Sequence, residues 1–264
     1  METMEKQLTW EVEEKQIHFD NVIVPNRKAL VRNDNQQLLS ILSNEYQLFN
    51  NKDLKGLCIE IEKNADYRLN RFEELQGGKK VLAFLEHDRT QKINRVPVQE
   101  FLVIGNSFDG TSSLFVGYNS HMLRCKNQFT DSRRIMQSKH LKGHMQHNVN
   151  LDIIISNFYN QRAQTLNRFS KMERVKISSK EISKLVRLII GGKEMDLPSK
   201  AEMNLRSSIK RELAYFGNTA WGLFNGITHY TSNVVNNGNN TFGNVSGESQ
   251  RINKIAMDYL ILLN

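Results

Sequence analysis

The sequence predicts an α+β protein, with an antiparallel, strand-rich first half followed by a helical second half. Three observations carry this. Short apolar runs broken by Asn, Asp, Ser and Gly turn residues recur as far as Cys125. From Leu151 onward the apolar spacing lengthens to that of helices. The 264 residues, 39% of them apolar, suffice for the core of one large domain. That domain is expected to span 1–264, strand-rich over 1–126 and helical over 127–264.

Taken in order, residues 1–20 read as a helical arm. Lys28–Arg32, Leu38–Leu42 and Tyr46–Phe49 read as short strands separated by turn chemistry. Residues 52–64 read as a helix, because Leu54, Leu57, Cys58 and Ile61 fall at i, i+3, i+4 and i+7. That spacing makes Cys58 a core residue rather than a reactive thiol. Gly77-Gly78 separates Arg71–Glu74 from Lys80–Leu85 and supplies the positive φ of a hairpin turn. Phe101–Ile104, Ser113–Val116 and Met122–Cys125 complete the strands. A long helix is expected over 151–175, with Leu151, Ile155, Phe158, Tyr159, Leu166, Phe169 and Met172 on its buried face. Ser178 and Glu181 form a capping box that opens a helix with Ile182, Leu185, Val186 and Ile189 inward, closed by Gly191-Gly192. Helices over 201–216, 218–230 and 249–263 follow, the last preceded by an Asn/Gly-rich loop over 236–247.

Charge is distributed unevenly. Residues 1–120 hold 15 Lys/Arg and 18 Asp/Glu, a net of −3; residues 121–187 hold 14 and 4, a net of +10; residues 188–264 hold 7 and 6, a net of +1. A local cationic block is the electrostatic footprint of a polyanion, nucleic acid first among them. Within it Arg124, Lys126, Arg133, Arg134, Lys139 and Lys142 cluster where strands give way to helices. Arg168, Lys171 and Arg174 fall within about 120° of one another on the long helix, a row suited to phosphates. Phe129, Phe158, Tyr159 and Phe169 are the only aromatics in the block, and three of them read as core. The signal therefore favours backbone contacts over base stacking. Arg162 instead projects onto the apolar stripe. A buried cation needs a partner, so Arg162 binds a carboxylate or phosphate, or the helix breaks near it.

The chain carries no G-x-S-x-G nucleophile motif and no phosphate loop: position 187 is Arg where Gly191-Gly192-Lys193 would need Gly, and Thr111 stands where Gly105…Gly110 would need Lys. His140, His144 and His147 share a face if helical, but Gly143 weakens that helix, and polar or phosphate-facing roles suit them better than a metal. No metal or cofactor is expected. Asp109 is the best lone carboxylate, in an Asp-Gly context that favours a turn role. No apolar run approaches the roughly 18 residues of a membrane span. The acidic N-terminus has no apolar h-region and the two cysteines make no disulfide framework, so a cytoplasmic place in a host cell is expected.

Several stretches, in order, resemble a known family: Arg32-Asn33-Asp34 with Leu39, Ser43 and Tyr46; Asn106-Ser107-Phe108-Asp109-Gly110-Thr111-Ser112; Leu123-Arg124-Cys125-Lys126-Asn127; Lys139-His140; and Ala220-Trp221-Gly222-Leu223-Phe224-Asn225 with Thr228 and Tyr230. Together they resemble the phage/plasmid-like family of domain of unknown function 932. This chain departs from it in having the Asn/Gly loop where a more compact turn is expected. The resemblance implies a product of phages or mobile elements and hands over no reaction. The strand-then-helix order is loosely similar to phage single-strand annealing proteins, an analogy of fold alone.

The expected function is nucleic-acid binding, single-stranded DNA favoured, in annealing or recombination, with a homo-oligomer in view and no membrane partner. Neutralising about six phosphates would lower affinity roughly a thousandfold between about 50 and 200 mM salt. The alternatives are an enzyme whose Asp109, Arg124, Asn127 and His140 converge in a polar cleft, with Arg124 holding an anionic group and His140 as acid or base, and a virion or interaction protein without chemistry.

Overall fold

The computed structural model describes residues 8–93, 96–122, 127–130, 134–141, 150–191, 197–235 and 247–263. The strands are β1 (Val12–Phe19), β2 (Val22–Arg32), β3 (Leu38–Ser43), β4 (Tyr67–Leu75), β5 (Lys80–His87), β6 (Gln91–Ile93), β7 (Val96–Ser107), β8 (Leu114–Met122), β9 (Gln128–Thr130) and β10 (Met136–Ser138). The helices are α1 (Asn51–Asn64), α2 (Leu151–Met172), α3 (Ser179–Ile190), α4 (Lys200–Phe216), α5 (Ala220–His229), which runs into a π-helical turn (Tyr230–Val235), and α6 (Glu248–Ile261). The protein is α+β, with antiparallel strands in its first half and helices in its second.

The chain divides into two compact units, each assembled from three stretches. One comprises Met1–Asp88, Phe101–Tyr118 and Arg134–Tyr159; the other comprises Arg89–Glu100, Asn119–Arg133 and Asn160–Asn264.

The first unit contains the sheet β1-β2-β3 and the antiparallel strands β10, β8, β7, β5 and β4 in that order. Residues 81–85 of β5 and 101–107 of β7 are all buried, which fits central strands covered on both faces. The β4–β5 hairpin forms around the expected glycines, with φ +68° at Gly77 and +89° at Gly78. Gly78 is doubly constrained. A Cβ there would lie 2.8 Å from Arg32 Nη1 and 2.9 Å from Trp10 Cζ2. Those two side chains form one structure: the Arg32 guanidinium lies 3.9 Å over the Trp10 ring and pairs with Asp34 and Glu74. α1 closes over this unit through Leu54, Leu57, Cys58 and Ile61, opened by a capping box of Asn50 and Asp53. Cys58 is core as expected, and burial pushes its thiol up to about 12.

In the second unit every residue of α5 except His229 is buried. It approaches α4 so closely that a Cβ on Gly226 would stand 2.5 Å from Ile209 Cα. Phe129, Phe169, Trp221 and Phe224 form an aromatic cluster with Phe169 at its centre, 5.2 to 5.6 Å from the other three rings. α3 begins at the Ser178–Glu181 capping box and ends at Gly191 with φ +70°, as its sequence predicts.

Four expectations are corrected. Residues 12–19 of the expected helical arm are strand β1, paired antiparallel with β2. Helix-favouring Glu, Lys and Gln are overridden by ladder pairing and by burial of Trp10 and Val12. Tyr46–Phe49 is no strand; it contributes one bridge, Tyr46 to Leu141. The buried face of α2 is Ile154, Phe158, Gln161, Thr165, Phe169 and Met172, with Leu151, Ile155, Tyr159 and Leu166 flanking it half-buried. α2 also ends at Met172, so Arg174 lies in the turn beyond it. Of the expected strand 122–125, Met122 ends β8; residues 123–126 lie outside the described residues, as do 236–246 of the Asn/Gly loop.

Candidate functional site

In the first unit three family-like stretches far apart in sequence meet at one pocket. It has a volume of about 320 Å³ and is lined by Tyr46, Gly110, Thr111, Ser112, Ser113, Lys139, His140 and Leu141. β7 delivers the loop at its end. Asn106 Nδ2 donates to Phe49 O at 2.8 Å and Tyr46 Oη donates to Ser107 O at 2.7 Å. Burial holds the Tyr46 hydroxyl well above its ordinary value, so it remains a donor. Phe108 is fully buried beside Trp10 and anchors the loop. Asp109 Oδ1 accepts from Ser107 Oγ at 3.0 Å, Thr111 N at 3.0 Å and Thr111 Oγ1 at 2.6 Å. Burial raises the pKa of this carboxyl, but the bonds from Thr111 and Ser107 outweigh it, so the net shift is downward. Asp109 thus folds the turn, as its Asp-Gly context favours. Gly110 follows at φ +72°.

His140 packs from the other side. Its ring stacks on Tyr46 at 4.8 Å and 15°. Gln47 N donates to His140 O at 3.1 Å, and His140 Nδ1 lies 3.1 Å from Gln47 O. A carbonyl only accepts, so Nδ1 carries the proton and Nε2 is a lone pair in the neutral ring. Nε2 is buried and has no hydrogen-bond partner among the described residues. Burial lowers the His140 pKa against the opposing effect of the Gln47 carbonyl. Lys139 is exposed at the pocket. Arg134 packs its guanidinium 3.7 Å over the Phe115 ring, and burial pulls it down to about 10.

In the second unit Asn127 is buried, its Nδ2 donating to Asn225 O at 3.2 Å and its Oδ1 accepting from Asn233 Nδ2 at 3.4 Å. Both ends of this amide therefore join polypeptide to polypeptide. Arg162 finds a carboxylate: its Nε and Nη2 grip both oxygens of fully buried Glu100, at 2.7 Å for the shorter contact. Of the expected α2 row, Arg168 is half-buried with partners of its own, while Lys171 and Arg174 are exposed.

α3 carries a row that the sequence reading passed over. Lys180, Lys184 and Arg187, at i, i+4 and i+7, flank a shallow groove with Ser183 and Leu188, opposite the buried Leu185, Val186 and Ile189. The spacing was visible in the sequence once the apolar stripe of that helix was drawn. Lys171, Arg174, Lys176, Lys180 and Lys184 are all exposed, and none pairs with a carboxylate among the described residues. Lys184 Nζ stands 5.6 Å from the Tyr259 ring. Arg124, Lys126, Arg133 and Lys142, with His144 and His147, lie outside the described residues. Among the described residues no group of three or more His, Cys, Asp or Glu is placed to hold a metal, and no helix is long and apolar enough to cross a membrane.

Fold and site together define an α+β protein with a hydroxyl-lined pocket on its strand-rich unit and a basic helix on its helical unit. The chain belongs to the family of domain of unknown function 932, whose model matches residues 38–255. The match takes in every stretch that carries the resemblance except Arg32-Asn33-Asp34. Searches of the curated proteins and of the solved structures find no match.

Proposed function

We propose that the protein binds nucleic acid, single-stranded DNA foremost, through the basic surface of its helical unit. The observation that supports this is the run Lys171–Lys184. It presents five exposed cations that form no carboxylate pair among the described residues, two of them aligned with Arg187 on one face of α3. Exposed cations at helical spacing match the phosphate repeat of a strand and release its counterions on binding. The fitting role is annealing or recombination in a phage or mobile element within a host cell, with several copies coating one strand.

The test is fluorescence anisotropy with single- and double-stranded oligonucleotides across a salt series, beside size-exclusion chromatography. If about five phosphates are neutralised, single-strand affinity drops roughly a hundredfold between about 50 and 200 mM salt. Replacing Lys180 and Lys184 together by Glu lowers affinity at least about tenfold and flattens the log–log salt slope by about 1.4. Both side chains are exposed and Lys184 touches only the edge of the contact range of the Tyr259 ring, so thermal unfolding should shift little. Absence of binding at low salt, or binding indifferent to salt, rejects the proposal.

A further inference from the structure

We propose that the protein self-associates by seating the tip of its β1–β2 hairpin in the groove between α3 and α4 of a second copy. β3 pairs with β2 only from Arg27 onward, so the outer hairpin is a two-stranded ribbon. No residue from Glu13 to Arg27 is buried. Its tip is nevertheless apolar. Phe19 is 73% exposed, its cross-strand partner Val22 68%, and Ile23 50%. A ribbon of two strands is marginal in water, and apolar side chains gathered at one exposed spot mark a contact site. The turn is pre-set: Asp20 and Asn21 hold φ +46° and +67°, as a type I′ turn requires. A tip fixed in this way loses little freedom when it docks.

The second patch lies on the helical unit. α3 and α4 leave a groove of about 340 Å³, floored by Ile182, Ile209, Leu213 and Ala214 and edged by Arg206 and Lys210. Arg206 is held by Glu202, while Lys210 is exposed and forms no ion pair among the described residues. The hairpin tip matches this groove in two respects. Phe19 and Val22, side by side on one face, suit its apolar floor. Asp20, exposed next to Phe19, is the one carboxylate between Gln16 and Asn26 and suits the ammonium of Lys210. Nucleic acid or an anionic lipid surface would meet that carboxylate as a repelling charge. A second copy is the occupant because the chain carries both halves of the match. The two patches differ, so the contact is heterologous and can repeat from copy to copy. A single hairpin tip makes a small interface, at the weak end of protein contacts. The contact needs no nucleic acid; only its strengthening along a bound strand, where neighbours are held close, rests on the reading above.

The test is sedimentation velocity on the full chain, without nucleic acid, between about 5 and 200 µM. The weight-average sedimentation coefficient of the parent is expected to rise across that range. Phe19→Ser with Val22→Ser removes the apolar tip, and Ala214→Glu fills the groove and repels Asp20. All three side chains are exposed, so thermal unfolding should shift little. Each variant is expected to stay monomeric. Mixed in equal amounts the two regain association that stops at dimers, because one supplies an intact groove and the other an intact hairpin. Asp20→Asn and Lys210→Gln each weaken association severalfold, and together no more than either alone. Lys180→Glu with Lys184→Glu associates as the parent does, so loss of strand binding in that variant bears on the nucleic-acid reading alone. The proposal is overturned by a parent that stays monomeric throughout the range, which would leave tip and groove to partners of other chemistry. It is equally overturned by undiminished association in either patch variant, or by a mixture of the two that remains monomeric.

Discussion

Arg162 brings a charge onto the buried side of α2, and Glu100, 62 residues earlier and itself fully buried, takes it up through two parallel contacts. The sequence shows that this arginine needs a partner. It does not show which carboxylate, because pairing across that separation is decided by how β7 and α2 pack. Removing one member of such a pair leaves the other stranded in low dielectric. Arg162→Ala is therefore expected to destabilise the protein by about 3–5 kcal/mol, read from the urea midpoint, whereas Arg162→Met with Glu100→Gln recovers most of the loss. His140 poses the converse problem, a ring held neutral. Its folded pKa lies below the ordinary value of about 6.5, so the unfolded chain binds the extra proton first. The contribution is complete above about pH 6.5 and declines as pH falls toward the lower folded pKa. Urea midpoints measured between about pH 5 and 8 should slope upward more steeply for the parent than for His140→Phe, which keeps a ring against Tyr46. Equal slopes would remove His140 as the cause. Of the pocket itself the sequence discloses Asp109 and its turn. The meeting of Tyr46, Lys139 and His140 with that turn depends on contacts spanning up to 93 residues, beyond any local pattern.

At the level of elements, legibility follows how one-sided the burial is. α1 and α3 bury one stripe against a wet face and carry side-chain caps, and both are plain in the sequence. β1 is wet on both faces over most of its length, so no alternation marks it. Its outward charges instead make cross-strand contacts, such as Lys28 Nζ to Glu14 at 2.7 Å. α2 misleads differently: polar Gln161 and Thr165 occupy its buried stripe while Ile153 is exposed, so an apolar tally points slightly off the true face. α4 and α5 depend on a close approach at Gly226. Gly226→Ala adds helix propensity, yet its methyl would press on the Ile209 backbone at 2.5 Å. The net expectation is destabilisation of about 1–3 kcal/mol, visible as a lower thermal midpoint. A neutral or raised midpoint would mean that the two helices part readily.

Over the whole molecule, composition gives a formal net charge of +8, but placement matters more than the sum. If affinity for a strand followed total charge, reversing any two exposed lysines would weaken it alike. The basic surface of the helical unit predicts otherwise. Lys180→Glu with Lys184→Glu should elute from immobilised heparin at clearly lower salt than Lys52→Glu with Lys63→Glu, two exposed lysines of the first unit. Equal elution would refute a localised surface. The strand-to-helix order was readable because the period of apolar residues changes along the chain. How stretches are shared between units was not, since that belongs to long-range packing.

Each compact unit draws on three separate stretches, with β7, β8 and α2 contributing to both. No single scission can therefore release either unit whole. A cut between β10 and α2 would strip each of them of part of its own framework, and neither half could be borrowed by another gene as a self-sufficient module. Inheritance of this architecture is all or nothing.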